Sequence, residues 1–265
     1  MRRRMIATDL DGTLLDSAGR ISPRTREVVG RLRAAGWLLV LATARPVRAV
    51  RPIVAELGHH AVVVCGNGCL TYDFAAEAVV DYRPVTTDRV RHALGVLRRN
   101  EPSARMGAER HLEFLLEHTF TLGSADAGGA VRVETLDGAL DDTGVGKLLV
   151  QLDGDALDYR GRVAARLSEG YEVTASGSAF CEITLEGVTK ASALQRIAQA
   201  HGFTAADVIA LGDMPNDLPA LTWAGTAVAV ANAHPEVLAA ADVVTHSNDD
   251  DGVARHLESL LEQGM

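Results

Sequence analysis

The chain has 265 residues, a net charge of −9, 47% apolar residues and only 4% aromatic ones. That length allows one large domain or two modest ones with a sizeable core. The acidic balance excludes a general binder of nucleic acid or anionic membrane, because both need a basic face. A composition dominated by Ala, Val and Leu suits helices packed on a parallel sheet better than an aromatic-rich all-β sandwich. Met5 to Thr8 is the first predicted strand, a short apolar run ending directly in Asp9-Leu10-Asp11-Gly12-Thr13. Ser22-Pro23 opens a helix with an N-cap and a first-turn proline, and Gly36 ends it. Trp37 to Ala42 is a second strand, apolar throughout, as a central parallel strand should be. Another helix starts at Pro46 and stops near Gly58, and Ala61 to Cys65 is a third strand ending in Gly66-Asn67-Gly68. This alternation predicts right-handed βαβ units in a doubly wound, Rossmann-like parallel sheet.

The pattern then changes. Leu70 to Tyr72 and Ala78 to Tyr82 read as a hairpin. From about Pro84 come a helix (Asp88 to Arg99), possible strands at Leu112 to Leu116, Lys147 to Leu152, Tyr171 to Thr174 and Phe180 to Thr184, and a helix from Asp155 to Ser168. Gly123 to Gly129 and Asp137 to Gly146 read as loops. After Gly187 the first pattern returns: helix Lys190 to Ala200, strands Val208 to Leu211, Ala227 to Ala231 and Asp242 to Val244, and a terminal helix Gly252 to Leu261. The expectation is an α/β core over residues 1–83 and 187–265, split by an inserted α+β domain over 84–186. Cys65, Cys69 and Cys181 have no zinc-ligand spacing and read as reduced thiols. The basic start, Met1 to Arg4, is followed by no long apolar segment, because Asp9 and Asp11 interrupt it. No run is long enough to span a bilayer, so a soluble, cytoplasmic protein is expected.

Two carboxylates two residues apart at the end of a buried strand disfavour each other and their surroundings. Such a pair persists when something offsets it, most often a divalent cation. Ligands of open α/β sheets gather at the carboxyl ends of the strands. Those ends carry Asp9 and Asp11, then Thr43-Ala44-Arg45, then Asn67, then Asp213 with Asn216 and Asp217, while Lys190 begins a helix just after the insertion. Asn67, between two glycines, is read either as a substrate contact or as a turn residue. The chain holds only two lysines, Lys147 and Lys190, against 24 arginines. A compact point charge differs from an arginine fork, so Lys190 stands out. Lys147, in the insertion, is read as an unremarkable lysine.

Asp-Leu-Asp-Gly-Thr-Leu-Leu at 9–15, Ala-Thr-Ala-Arg-Pro at 42–46, Thr-Lys-Ala-Ser-Ala-Leu at 189–194 and Gly-Asp-Met-Pro-Asn-Asp at 212–217 closely resemble the four motifs of the haloacid dehalogenase (HAD) superfamily. Within it they are similar to the Cof-like class IIB phosphatases, whose α/β cap, of the C2B type, lies between the second and third motifs. The match spans the core; the cap is matched by position and size. Ala44 stands where glycine is commoner in the family. The resemblance implies a Mg²⁺-dependent phosphatase of small phosphorylated metabolites, either sugar phosphates or phosphorylated cofactors. It implies Asp9 as nucleophile forming an aspartyl-phosphate, and Asp11 as general acid and then base. The metal set would be Asp9, the main-chain carbonyl of Asp11, and Asp213, with Asp217 orienting metal-bound water. Thr43, Lys190, Asn216 and the N–H groups of Leu10 and Ala44 would hold phosphoryl oxygens, with Arg45 on the phosphate or the substrate beyond it. A sugar phosphomutase would use the same site, and a binding protein on this fold would be expected to have lost one of these residues. The state expected is monomer or homodimer.

Overall fold

The computed structural model describes residues 4–58, 60–122, 129–175 and 179–263. In chain order the elements are β1 (Met5–Thr8), α1 (Pro23–Ala34), β2 (Leu38–Ala42), α2 (Val47–Glu56), β3 (Val62–Cys65), β4 (Leu70–Asp73) and β5 (Ala78–Tyr82). Then come α3 (Thr87–Asn100), β6 (Arg105–Arg110), β7 (Glu113–Glu117), β8 (Ala130–Val133), α4 (Leu136–Ala139), β9 (Lys147–Gln151), α5 (Ala156–Arg166), β10 (Tyr171–Thr174) and β11 (Cys181–Leu185). The chain finishes with α6 (Lys190–Ala200), β12 (Val208–Gly212), α7 (Leu218–Trp223), β13 (Thr226–Ala229), α8 (Pro235–Ala240), β14 (Val243–Val244) and α9 (Gly252–Glu262). No helix among the described residues is long and apolar enough to cross a membrane. Cys65, Cys69 and Cys181 are buried free thiols.

The chain divides into two compact units, one formed by 1–80 with 189–265 and the other by 81–188. The first is an eight-stranded sheet in the order β14-β13-β12-β1-β2-β3-β4-β5. Its strands from β14 to β3 run parallel and β4 turns back antiparallel to β3. The central strand β1 is buried along its whole length, as is β12, which is why both are written as apolar runs rather than alternations. The register decides what meets at the strand ends. Thr8 is level with Leu211 on one side and Leu41 on the other. One step on, Asp9 lies level with Gly212 and Ala42, and one further come Asp213 and Thr43.

The second unit is a six-stranded sheet in the order β10-β11-β9-β6-β7-β8, antiparallel except where β7 and β8 run together. Period-two alternation sorts its side chains. Met106, Ala108, Leu148, Val150, Cys181 and Ile183 share a core with Val90, Leu94 and Leu97 of α3 and Tyr159 and Val163 of α5. The alternate positions carry a second apolar cluster, Phe114, Leu116, Phe120 and Leu149. Sequence reading misses β6, because a stretch holding Gly107 and Ala108 lacks strand formers. The glycine is needed: a Cβ there would lie 2.6 Å from Leu116 Cδ2 on the neighbouring strand. The edge strand β8 is also missed, as are α7 and α8. The loop expected over Gly123 to Gly129 lies, up to Ala127-Gly128's end of the stretch, outside the described residues. Part of the loop expected over Asp137 to Gly146 is instead the single helical turn α4, capped by the Thr135 side chain.

Lys147 corrects the reading of an unremarkable lysine. It is 2% exposed, and its Nζ lies 2.7 Å from Glu182 Oε1 and 3.5 Å from Glu109 Oε2, both buried. These residues sit on the adjacent strands β6, β9 and β11, so the ladder itself sets the cluster. Removing one partner of a buried ion pair leaves the other charge uncompensated. Lys147→Met is therefore expected to destabilise this unit by about 3–5 kcal/mol, read as a lowered midpoint in urea unfolding followed by circular dichroism.

Candidate functional site

The chain leaves β1 at Asp9 and enters a wide turn, Leu10–Leu14, in which Gly12 adopts φ +75°. A glycine is required there for space as well as conformation, since a Cβ would lie 2.4 Å from Asp213 Oδ2. The turn packs directly on the end of β12. Thr13 Oγ1 donates to Asp213 Oδ1 at 2.7 Å, and both residues are buried. From the far side Asn232 Nδ2 donates to the Gly12 carbonyl at 2.8 Å, and Asn248 Nδ2 to that of Leu15 at 2.9 Å.

Lys190 is the first residue of α6, whose N-cap Thr189 forms a reciprocal capping box with Ser192. A cation in a first helical turn opposes the helix dipole, and Lys190 is also only 3% exposed. Two carboxylates offset this. Lys190 Nζ donates to Asp9 Oδ1 and to Asp217 Oδ1, each at 2.7 Å. The other oxygen of Asp217, Oδ2, accepts the main-chain N–H groups of Asp213 and Met214 at 3.1 Å. Asp217 is thus fully engaged within the protein, while among the described residues no donor is bonded to Asp9 Oδ2 or Asp213 Oδ2. Asp9, Asp213 and Asp217 each offer an oxygen within 4.8 Å of the others.

The electrostatics point the same way. Burial pushes the Asp9 carboxyl up to about 8; Lys190 pulls it down, and Asp217 and Asp213 push it up again. Burial likewise raises Asp213 to about 6, with Thr13 and Lys190 opposing and Asp217 and Asp11 adding to it. Burial pulls the Lys190 ammonium down, but Asp217 and Asp9 overcome it and hold its pKa above the ordinary lysine value. The ammonium therefore stays charged while the carboxylates crowd one another. With all three carboxyls ionised they would exceed the single ammonium by two negative charges, which one divalent cation would offset and thereby hold Asp9 ionised. The hard-oxygen donor set fits such an ion.

The remaining sequence-predicted residues surround this cluster. Thr43 is buried at the end of β2, where its Oγ1 accepts the Arg45 N–H at 3.1 Å. Ala44 lies between them, and Leu10 is fully buried beside Asp9. The Arg45 guanidinium forks onto the Asp11 carboxylate, with Nε to Oδ2 at 2.7 Å and Nη2 to Oδ1. That pair is partly exposed to solvent. Asn216 Nδ2 donates to Asn67 Oδ1 at 3.3 Å. Sequence reading passed over Thr13, although it sits inside the Asp9 to Leu15 stretch, because a lone hydroxyl gives no sign of a partner 200 residues away. It likewise passed over Asn232 and Asn248 as braces of the turn.

Comparison with known proteins places these features in context. The sequence profile of the haloacid dehalogenase-like hydrolases matches residues 6–257. Pyridoxal phosphate phosphatase YbhA of Escherichia coli is 28% identical over 274 residues, covering 98% of this chain and 100% of its own. The 5-amino-6-(5-phospho-D-ribitylamino)uracil phosphatase YcsE of Bacillus subtilis is 27% identical over 254 residues, covering 95% and 93%. The crystal structure of a haloacid dehalogenase-like hydrolase from Bacteroides thetaiotaomicron superposes with a TM-score of 0.84 at 28% identity, covering 98% of this chain and 100% of that one.

Among the described residues the Thr13 hydroxyl is bonded to Asp213, so its loss should loosen one carboxylate without removing it. Thr13→Val, nearly isosteric, is expected to weaken binding of an added divalent cation, probed with Mg²⁺, by about tenfold or more, measured by titration calorimetry. Unchanged affinity would remove Thr13 from the site.

Proposed function

Because the chain belongs to the haloacid dehalogenase-like hydrolases, we propose that it is a Mg²⁺-dependent phosphatase of small phosphorylated metabolites, acting through an aspartyl-phosphate on Asp9. It is a phosphoric monoester hydrolase of the Cof-like class. Sugar phosphates and phosphorylated cofactors are the proposed substrates; a relative that acts on pyridoxal phosphate supports the second group. The observation that carries the reading is the buried Lys190 ammonium bonded at once to Asp9 and Asp217, with Asp213 beside them.

In the first step a carboxylate oxygen of Asp9 attacks phosphorus, the bond from phosphorus to the ester oxygen breaks, and Asp11 gives its proton to the departing alkoxide. In the second, water attacks the aspartyl-phosphate, Asp11 takes a proton from that water, and the bond from phosphorus to Asp9 breaks. Asp9, Asp213 and the Asp11 carbonyl would hold Mg²⁺, which would supply the positive charge that lets an anionic carboxylate approach an anionic phosphate. Lys190 keeps one Asp9 oxygen occupied, which aims the other. Asp217 holds Lys190 from behind and ties the end of β12 through its second oxygen. Thr43, Lys190, Asn216 and the N–H groups of Leu10 and Ala44 hold the phosphoryl oxygens. A phosphate dianion at the strand ends competes with Asp11 for Arg45, and the released carboxyl is then able to move protons.

Asp9→Asn keeps the volume of the side chain and removes its nucleophilicity. It is expected to lower phosphate release from p-nitrophenyl phosphate by more than about a thousandfold. Chelation with EDTA should abolish wild-type turnover and added Mg²⁺ restore it. Metal-dependent turnover surviving in Asp9→Asn would sink the nucleophile assignment, and isomerised product without free phosphate would mean a mutase.

A further inference from the structure

The turn between β3 and β4 touches two of the strand-end segments and the start of α6 at once. Gly66, Asn67 and Gly68 all have positive φ, at 56°, 58° and 113°. Gly66 N donates to the Arg45 carbonyl at 3.1 Å and Asn67 N to the Thr43 carbonyl at 3.0 Å. Gly68 lies so close to the start of α6 that a Cβ would sit 2.3 Å from the Thr189 carbonyl oxygen and 3.2 Å from the Lys190 nitrogen. The third link is a side chain: Asn216 Nδ2 donates to Asn67 Oδ1.

The residue type at 67 is the informative part. Left-handed backbone suits glycine best, and asparagine is the side chain that tolerates it most readily. A chain that uses glycine on both sides has an asparagine in the middle, 6% exposed, with its carboxamide oxygen turned to Asn216. A turn alone would need no side chain there. The carboxamide of Asn216 carries two N–H bonds on Nδ2. The acceptor at Asn67 takes one and thereby sets the rotation of the amide plane, which fixes where the other points.

We infer that Asn67 is a positioning residue that orients the Asn216 carboxamide toward a bound phosphoryl group. This rests on the reading of these strand ends as a phosphate site. Asn67 does not touch the reacting atoms; it acts through Asn216, while the main-chain N–H groups of Asn67 and Gly66 hold the Thr43 and Arg45 carbonyls in the same frame.

Asn67→Gly is the clean test, because it deletes the carboxamide while leaving a residue that accepts φ near +58°. Three quantities are measured with Mg²⁺ present: KM and kcat for p-nitrophenyl phosphate, Kd for inorganic phosphate by calorimetry, and Tm. The expected result is a KM and a phosphate Kd each raised about tenfold, the loss of one hydrogen bond to an anion, with kcat within about twofold and Tm little changed. In an Asn216→Ala background the same substitution should have no further effect, as a double-mutant cycle requires of two residues acting in series. Wild-type KM and Kd in Asn67→Gly would overturn the inference. So would a full tenfold effect persisting in the Asn216→Ala background, even if Tm had fallen. A wild-type protein that binds phosphate without hydrolysing its esters would refute the hydrolytic reading and leave Kd to decide on Asn67. Neither binding nor turnover in the wild type would remove both.

Discussion

A buried ammonium between two buried carboxylates is the constraint on which the first unit depends. Lys190 is desolvated, sits where a helix dipole opposes it, and is fixed in one rotamer by two short bonds. Each of these disfavours the folded state. The arrangement is stable only if Asp9 and Asp217 arrive together at the same point. Asp9 arrives on β1 and Asp217 on the turn after β12, so the parallel pairing of β1 with β12 is a precondition for burying the lysine at all. In return the ammonium settles the direction of Asp9, whose Oδ1 it holds.

The same solution appears a second time with a different consequence. Lys147 lies between Glu109 and Glu182 on three adjacent strands of the other unit. The two lysines of the chain thus both occupy buried carboxylate clusters, while many of the arginines serve more exposed pairs such as Arg20 with Asp16 and Arg51 with Glu77. The division follows from shape and hydration. An ammonium is compact enough to be enclosed by two or three oxygens, whereas a guanidinium needs a flat, wider site. Rarity of lysine in an arginine-rich chain therefore marks both clusters, and only the neighbouring strand-end carboxylates distinguish Lys190 from Lys147.

Glycines do comparable work where backbone must approach a carboxylate or a carbonyl. Gly12 leaves room for Asp213, and Gly68 for the start of α6. Both have positive φ, so a side chain would be strained as well as crowded. These two contacts let a turn from the first third of the chain and a helix from the last third share one small site.

Much of this was legible in the sequence, and the rest was not, for identifiable reasons. Buried parallel strands declare themselves as apolar runs, so β1, β2, β3 and β12 were readable, and with them the strand ends that carry Asp9, Asp11, Thr43 and Asp213. Two strands of the inserted unit declare themselves poorly: β6 is interrupted by a glycine that the Leu116 side chain explains, and β8 lies at an edge with exposed positions. The sequence by itself determined the α/β class and the residue types at each strand end, because both follow from local patterning and local chemistry. Tertiary structure alone decided which of those residues touch: that Thr13 holds Asp213, that Arg45 engages Asp11, that Asn67 meets Asn216, and that Lys147 is enclosed by glutamates. Those contacts join residues far apart in the chain, and their geometry is set by strand order, register and left-handed turns, none of which any single segment specifies.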